Sequence, residues 1–122
     1  CAGPEEGYVW VTAEEIRAIA RHLGISEQQM RQEYVRRIGA RTSLVEQDET
    51  RDCVFLATDG AGGRRCRIYA VRPTQCRTWP FWPANLRSPD AWCAAAARCP
   101  GINRGPRHRR EQIEERMRRT RA

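Results

Sequence analysis

Three prolines fall within twelve residues in "RPTQCRTWPFWP", positions 72–83. Each fixes its own φ, and each pushes the residue before it toward extended geometry. Pro73, Pro80 and Pro83 therefore argue against a regular helix through this stretch, which is expected to be a rigid, irregular loop. Trp79, Phe81 and Trp82 would each hide a large apolar area, so they are expected to pin the loop to a core and not to form a base-stacking platform. Cys76 sits in the middle of this stiff, aromatic, arginine-bearing run. Such support suits a cysteine whose position matters.

The flanking sequence reads as short elements. "TAEEIRAIARHLG" is a helix with Thr12 as N-cap, Glu15 completing a capping box and Gly24 as terminator, and it sets Ile16, Ile19, Ala20 and Leu23 on one stripe. "SEQQMRQEYVRRIG" repeats the scheme, with Ser26 capping, Gln29 answering, Met30, Tyr34 and Ile38 facing inward and Gly39 as stop. The β-branched and aromatic runs "CVFLA" (53–57) and "CRIYA" (66–70), separated by the turn-rich "TDGAGGRR", predict a β-hairpin, with "SLVEQ" (43–47) as a candidate third strand. "SPDAWCAAAAR" predicts a helix capped by Ser88 with Pro89 in its first turn, ended by "CPGI". The segment after Pro106 predicts a helix with Ile113 and Met117 on one side and a Glu114–Arg118 pair, with too little apolar surface to dock strongly.

The expected fold is α+β: two short amino-terminal helices, a small antiparallel hairpin or sheet, an irregular Pro/Trp-rich loop and carboxy-terminal helices around a cysteine cluster. With 122 residues and 40% hydrophobic content, the chain is long enough for one domain with a modest core. That domain is expected over residues 1–105, followed by an arginine-rich tail over 106–122. The apolar runs are far too short to span a membrane, and no leader is visible, so a cytoplasmic location is expected. The chain begins at Cys1 and not at methionine, so either upstream residues are missing or the protein was processed; a mature lipoprotein, which also begins with cysteine, is the less favoured reading.

The formal charge is +7, and all 22 basic residues are arginine. Residues after Asn103 hold eight arginines against three glutamates, so most of the excess lies in the tail. This supports one alternative function, a nucleic-acid-binding module using the tail on phosphates and the tryptophans on bases.

The six cysteines stand at positions 1, 53, 66, 76, 93 and 99, and no C-x-x-C pair occurs among them. An even number permits disulfides in a secreted protein. Without a visible export signal, reduced thiols that bind metal are the preferred reading. Arginines 65, 67, 77 and 98 adjoin cysteines, which favours thiolate, the form that binds metal and attacks electrophiles. If the hairpin pairs residue 53 with about residue 70, Cys53, Cys76 and Cys99 can meet, while Cys66 falls on the order of 10 Å away along the strand. Cys93, on an alanine-rich helix, reads as a small buried apolar residue. His22 and His108 read as surface residues. Arg72 is placed either to pair with a buried carboxylate or to offset thiolate charge. A thiol redox protein is a third reading, without a cysteine pair or an evident base to support it.

Four blocks in order, "CVFL", "CRIYAVRP", "CRTWPFW" and "CPGINRG", preceded by "GYVWVTAEEIRAIARHLGI", resemble the YkgJ-like cysteine-cluster family, named for presumed chelation of zinc or iron. The likeness runs from Cys1 to about Gly105. It implies a metal-binding protein with zinc, iron or an iron–sulfur cluster as cofactor. By matching, Cys1 would be the last member of the family's amino-terminal cysteine group, and Cys53, Cys66, Cys76 and Cys99 would be cluster cysteines. Cys66 is a ligand on the resemblance alone, and Cys93 has no counterpart. The implied partner is a metal ion, with nucleic acid less favoured and no membrane. The family gives no reaction, so none is assigned.

Overall fold

A computed structural model describes residues 7–58 and 60–120. The chain divides into two compact units, Cys1–Pro73 and Thr74–Ala122. Both α-helices and small antiparallel strand pairs are present, an α+β architecture.

The first unit opens with a segment that pairs along strand β2 (Arg41–Leu44): Leu44 N–H donates to Val9 O at 2.9 Å and Val11 N–H to Thr42 O at 3.0 Å. An aromatic–arginine ladder covers this segment. Tyr8 and Trp10 stack with centroids 5.0 Å apart, Arg36 lies over Tyr8 and Arg41 lies 4.0 Å from the Trp10 centroid. Helix α1 (Ala13–Leu23) starts at the Thr12 cap with the full capping box and ends at Gly24, whose φ of 72° is left-handed. Ile16, Ile19 and Ala20 bury its inner face.

Helix α2 (Glu27–Tyr34) is capped by Ser26, but the predicted reciprocal bond is replaced: the Gln29 amide reaches Glu33. The helix is also shorter than expected. Residues anticipated as its last turn form strand β1 (Val35–Ile38), which pairs antiparallel with β2 across a turn where Gly39 has φ 61°. Ile38 fits the four-residue stripe of Met30 and Tyr34. The ladder to β2 nevertheless outweighs the local helical pattern, as strand pairing can where β-branched residues flank a glycine turn.

The second hairpin is shorter than the sequence implies. Strands β3 (Leu56–Thr58) and β4 (Arg64–Cys66) pair with Leu56 opposite Cys66, and residues 69–71 turn into a 3₁₀ helix. Residues 43–47 do not join this hairpin as a strand; β2 belongs to the first sheet, and a single bridge joins Glu46 to Cys53. Val11, Ile16, Ile19, Met30, Leu44, Phe55 and Ile68 make the core of this unit, with Phe55 wholly buried against Tyr34.

The second unit is helical. Helix α3 (Thr74–Thr78) and helix α4 (Pro83–Leu86) occupy the stretch expected to be irregular loop. The prolines bracket these helices: Pro73 precedes α3, Pro80 follows a cis bond from Trp79, and Pro83 stands in the first turn of α4, where a missing N–H costs no helical bond. Phe81 is buried, while Trp79 and Trp82 are half-buried in a T-shaped pair with centroids 4.7 Å apart. Helix α5 (Pro89–Arg98) has Ser88 as its cap, as expected.

Helix α6 (Arg110–Arg119) docks, against expectation. Arg116 lies over the Phe81 ring, His108 meets that ring edge-on, and the hydroxyl of Thr120 reaches Thr78 on α3. Its ion pairs are Arg110–Glu114 and Arg119–Glu115 in place of Glu114–Arg118. Charge is divided sharply between the units. Residues 1–73 carry eleven arginines and eleven carboxylates, and residues 74–122 carry eleven arginines and four. The whole net charge of +7 thus belongs to the second unit. No helix among the described residues is long and apolar enough to cross a membrane.

Candidate metal centre

Cys53 and Cys99 lie in different units and share one local design. At Cys53, Leu56 N–H donates to the Cys53 carbonyl at 2.9 Å, closing a turn over residues 53–56. At Cys99, Ile102 N–H donates to the Cys99 carbonyl at 3.2 Å, closing a turn over residues 99–102. In both, the cysteine opens a turn closed by the amide three residues on.

The two thiols differ in environment. Burial pushes the Cys53 thiol up; the Phe55 amide opposes this, and the nearby charges of Cys66 and Glu46 add to it. Cys99 is lowered, first by the Trp79 indole, whose Nε1–H donates to Sγ at 3.4 Å, and then by the backbone amides of Gly101 and Ile102. A neutral Cys53 thiol suits its buried position.

Cys66 ends β4 and is half-buried. The expectation of a continuous strand starting at Cys53 is not met: the chain turns over residues 53–56, and Cys66 is near enough to raise the Cys53 thiol. Cys76 lies in the middle of α3, half-buried, between the buried Gln75 and the exposed Arg77. The Trp82 indole donates to the Gln75 carbonyl at 2.8 Å, fixing that helix from below. Cys1 lies outside the described residues.

Cys93 is exposed on α5, which corrects its reading as a buried apolar residue. The buried position on that helix is Ala95, two residues on and so about 200° around the axis. Arg72 stacks on Tyr69 at 3.8 Å and donates to the Tyr69 carbonyl. His22 is exposed, with Nε2 3.2 Å from Arg67 O.

Within each unit, no three His, Cys, Asp or Glu side chains among the described residues form a group that could hold a metal ion. Each unit contributes two of the predicted cysteines, Cys53 with Cys66 and Cys76 with Cys99. Thiolates are soft donors suited to zinc or iron, so the donor chemistry fits, and the indole bond to the Cys99 sulfur adds a feature that a merely packed cysteine does not need. Trp79 reads from sequence as core packing, with base stacking the less favoured role. The one available signal for its polar role was an indole donor three residues after a cysteine.

A sequence model of a protein family described as "CxxCxxCC: Putative zinc- or iron-chelating domain" matches residues 1–100. No solved structure matches the chain.

Proposed function

The chain belongs to the CxxCxxCC family of chelating domains, and from that membership we propose that it holds zinc or iron through cysteine thiolates. The donors are Cys53 and Cys66 in the first unit, Cys76 and Cys99 in the second, and Cys1 in addition. The observation that carries this reading is the bond to the Cys99 sulfur, where the Trp79 indole Nε1–H donates to Sγ at 3.4 Å. Hydrogen bonds to the charged form hold a sulfur as thiolate and limit the charge it must share with a cation.

Zinc held by four thiolates is a closed, structural ion, whereas iron with sulfide exchanges electrons. The protein's own part is to fix the sulfurs and shield them. Burial does this at Cys53, and the Trp79–Trp82 pair does it beside Cys99. Reduced thiols of this kind belong to a reducing compartment such as the cytoplasm.

The test is elemental analysis of full-length protein purified without oxygen, with its visible spectrum. Zinc or iron is expected in stoichiometric amount. Cys76→Ser and Cys99→Ser are each expected to lower it, and Cys93→Ser to leave it unchanged. Wild-type metal content in both of the first two variants would overturn the reading.

A further inference from the structure

Trp79 stands where two elements of the second unit meet. It directly follows α3, which carries Cys76, and its indole N–H donates to the sulfur of Cys99 at the end of α5. The ring does not hang free. Trp82 packs edge-on against it at 4.7 Å, and Trp82 is itself held by its bond to the Gln75 carbonyl at 2.8 Å. Phe81 N–H donates to Thr78 O at 2.7 Å, and the Asn85 amide donates to Pro80 O at 2.9 Å, which fixes the backbone on both sides of Pro80. An indole has one polar hydrogen and no acceptor, and here the whole surround directs that hydrogen at a thiol.

We propose that Trp79 is a positioning residue for a metal-bearing Cys99, keeping its N–H on the sulfur when that sulfur holds the ion. The inference rests on the reading of Cys99 as a ligand. It adds that a side chain outside the cysteine set orients this ligand and draws charge from it. A sulfur receiving the indole N–H donates less charge to its cation, and its orientation is set before the ion arrives. Because Trp79 adjoins the Cys76 helix, the same residue ties the place of Cys76 to that of Cys99.

The test loads full-length protein with ¹¹³Cd²⁺ and compares it with Trp79→Phe, which keeps the ring and loses the N–H. In the wild type, a scalar coupling is expected between the Trp79 indole proton and cadmium, transmitted through the sulfur, with stoichiometric cadmium by elemental analysis. In Trp79→Phe, the folded chain is expected to bind Cd²⁺ about 10- to 100-fold more weakly, the usual effect of removing a group that orients a ligand. Stoichiometric cadmium without the coupling, and with equal affinity in the variant, would overturn the inference while leaving thiolate binding intact. Failure of the wild type to bind cadmium at all would instead overturn the metal reading on which it rests. Should Trp79→Phe fail to fold, the indole coupling in the wild type alone decides.

Discussion

The hydroxyl oxygens of Thr78 and Thr120 lie 2.5 Å apart, joining the last residue of α3 to the cap of α6. Thr120 is also 2.9 Å from the Arg116 carbonyl, so its hydroxyl closes the helix end and anchors it at once. Thr120→Ala is expected to destabilise the second unit by about 1 kcal/mol, the usual net value of one such bond. Urea unfolding of the two proteins measures it, and an unchanged midpoint would mean that the contact contributes nothing to stability.

Phe55 is expected to be the costliest single truncation in the first unit. It is fully buried, its ring lies 5.1 Å from that of Tyr34, and its carbonyl accepts from Arg67 N–H. Phe55→Ala should cost about 3–5 kcal/mol by the cavity it leaves. Denaturant titration followed by tryptophan fluorescence would detect this loss.

Gly39 turns β1 into β2 with φ 61°, and a β-carbon there would meet nothing within 4 Å. Backbone strain alone therefore sets the effect of Gly39→Ala, about 1 kcal/mol of destabilisation. A fall in Tm with unchanged secondary structure by circular dichroism is expected. An unchanged or higher Tm would show that this backbone conformation carries no strain.

The Cys53 and Cys99 thiols should separate by pH in metal-stripped protein. Cys99, lowered by the Trp79 indole and backbone amides, gains thiolate below the ordinary thiol range; Cys53, raised by burial, gains it above. Iodoacetamide applied from neutral pH upward should therefore modify Cys99 first, as mapped by mass spectrometry. The signs carry over to stability. The Cys99 contribution is present above the unfolded-state pKa and is lost as pH falls through the folded one. The Cys53 contribution is present below the unfolded-state pKa and is lost as pH rises through the folded one. Earlier modification of Cys53 would contradict the assignment.

The helix starts at Thr12, Ser26 and Ser88 were legible because a cap is a local bond between neighbours in sequence. Val35–Ile38 was not, because the stripe of Met30, Tyr34 and Ile38 suits a helix, and only pairing with Arg41–Leu44 decides for a strand. The prolines at 73, 80 and 83 marked breaks correctly, yet the breaks lie between short helices and do not exclude them. Glu114 had arginines four residues away on both sides, and spacing could not choose Arg110 over Arg118. The cysteines were visible as residues, and the resemblance selected among them. The indole bond from Trp79 to Cys99 was not legible, since it joins residues twenty apart through packing that their letters do not specify.

The outward position of Cys93 on α5 has a practical consequence. It offers a maleimide dye or nitroxide an attachment point at mid-helix, away from the cap and from the cradled sulfur at the helix end. Among the described cysteines it is also the thiol most open to crosslinking between molecules in air, so a covalent dimer on a non-reducing gel should first be checked against Cys93→Ser before it is taken for native assembly.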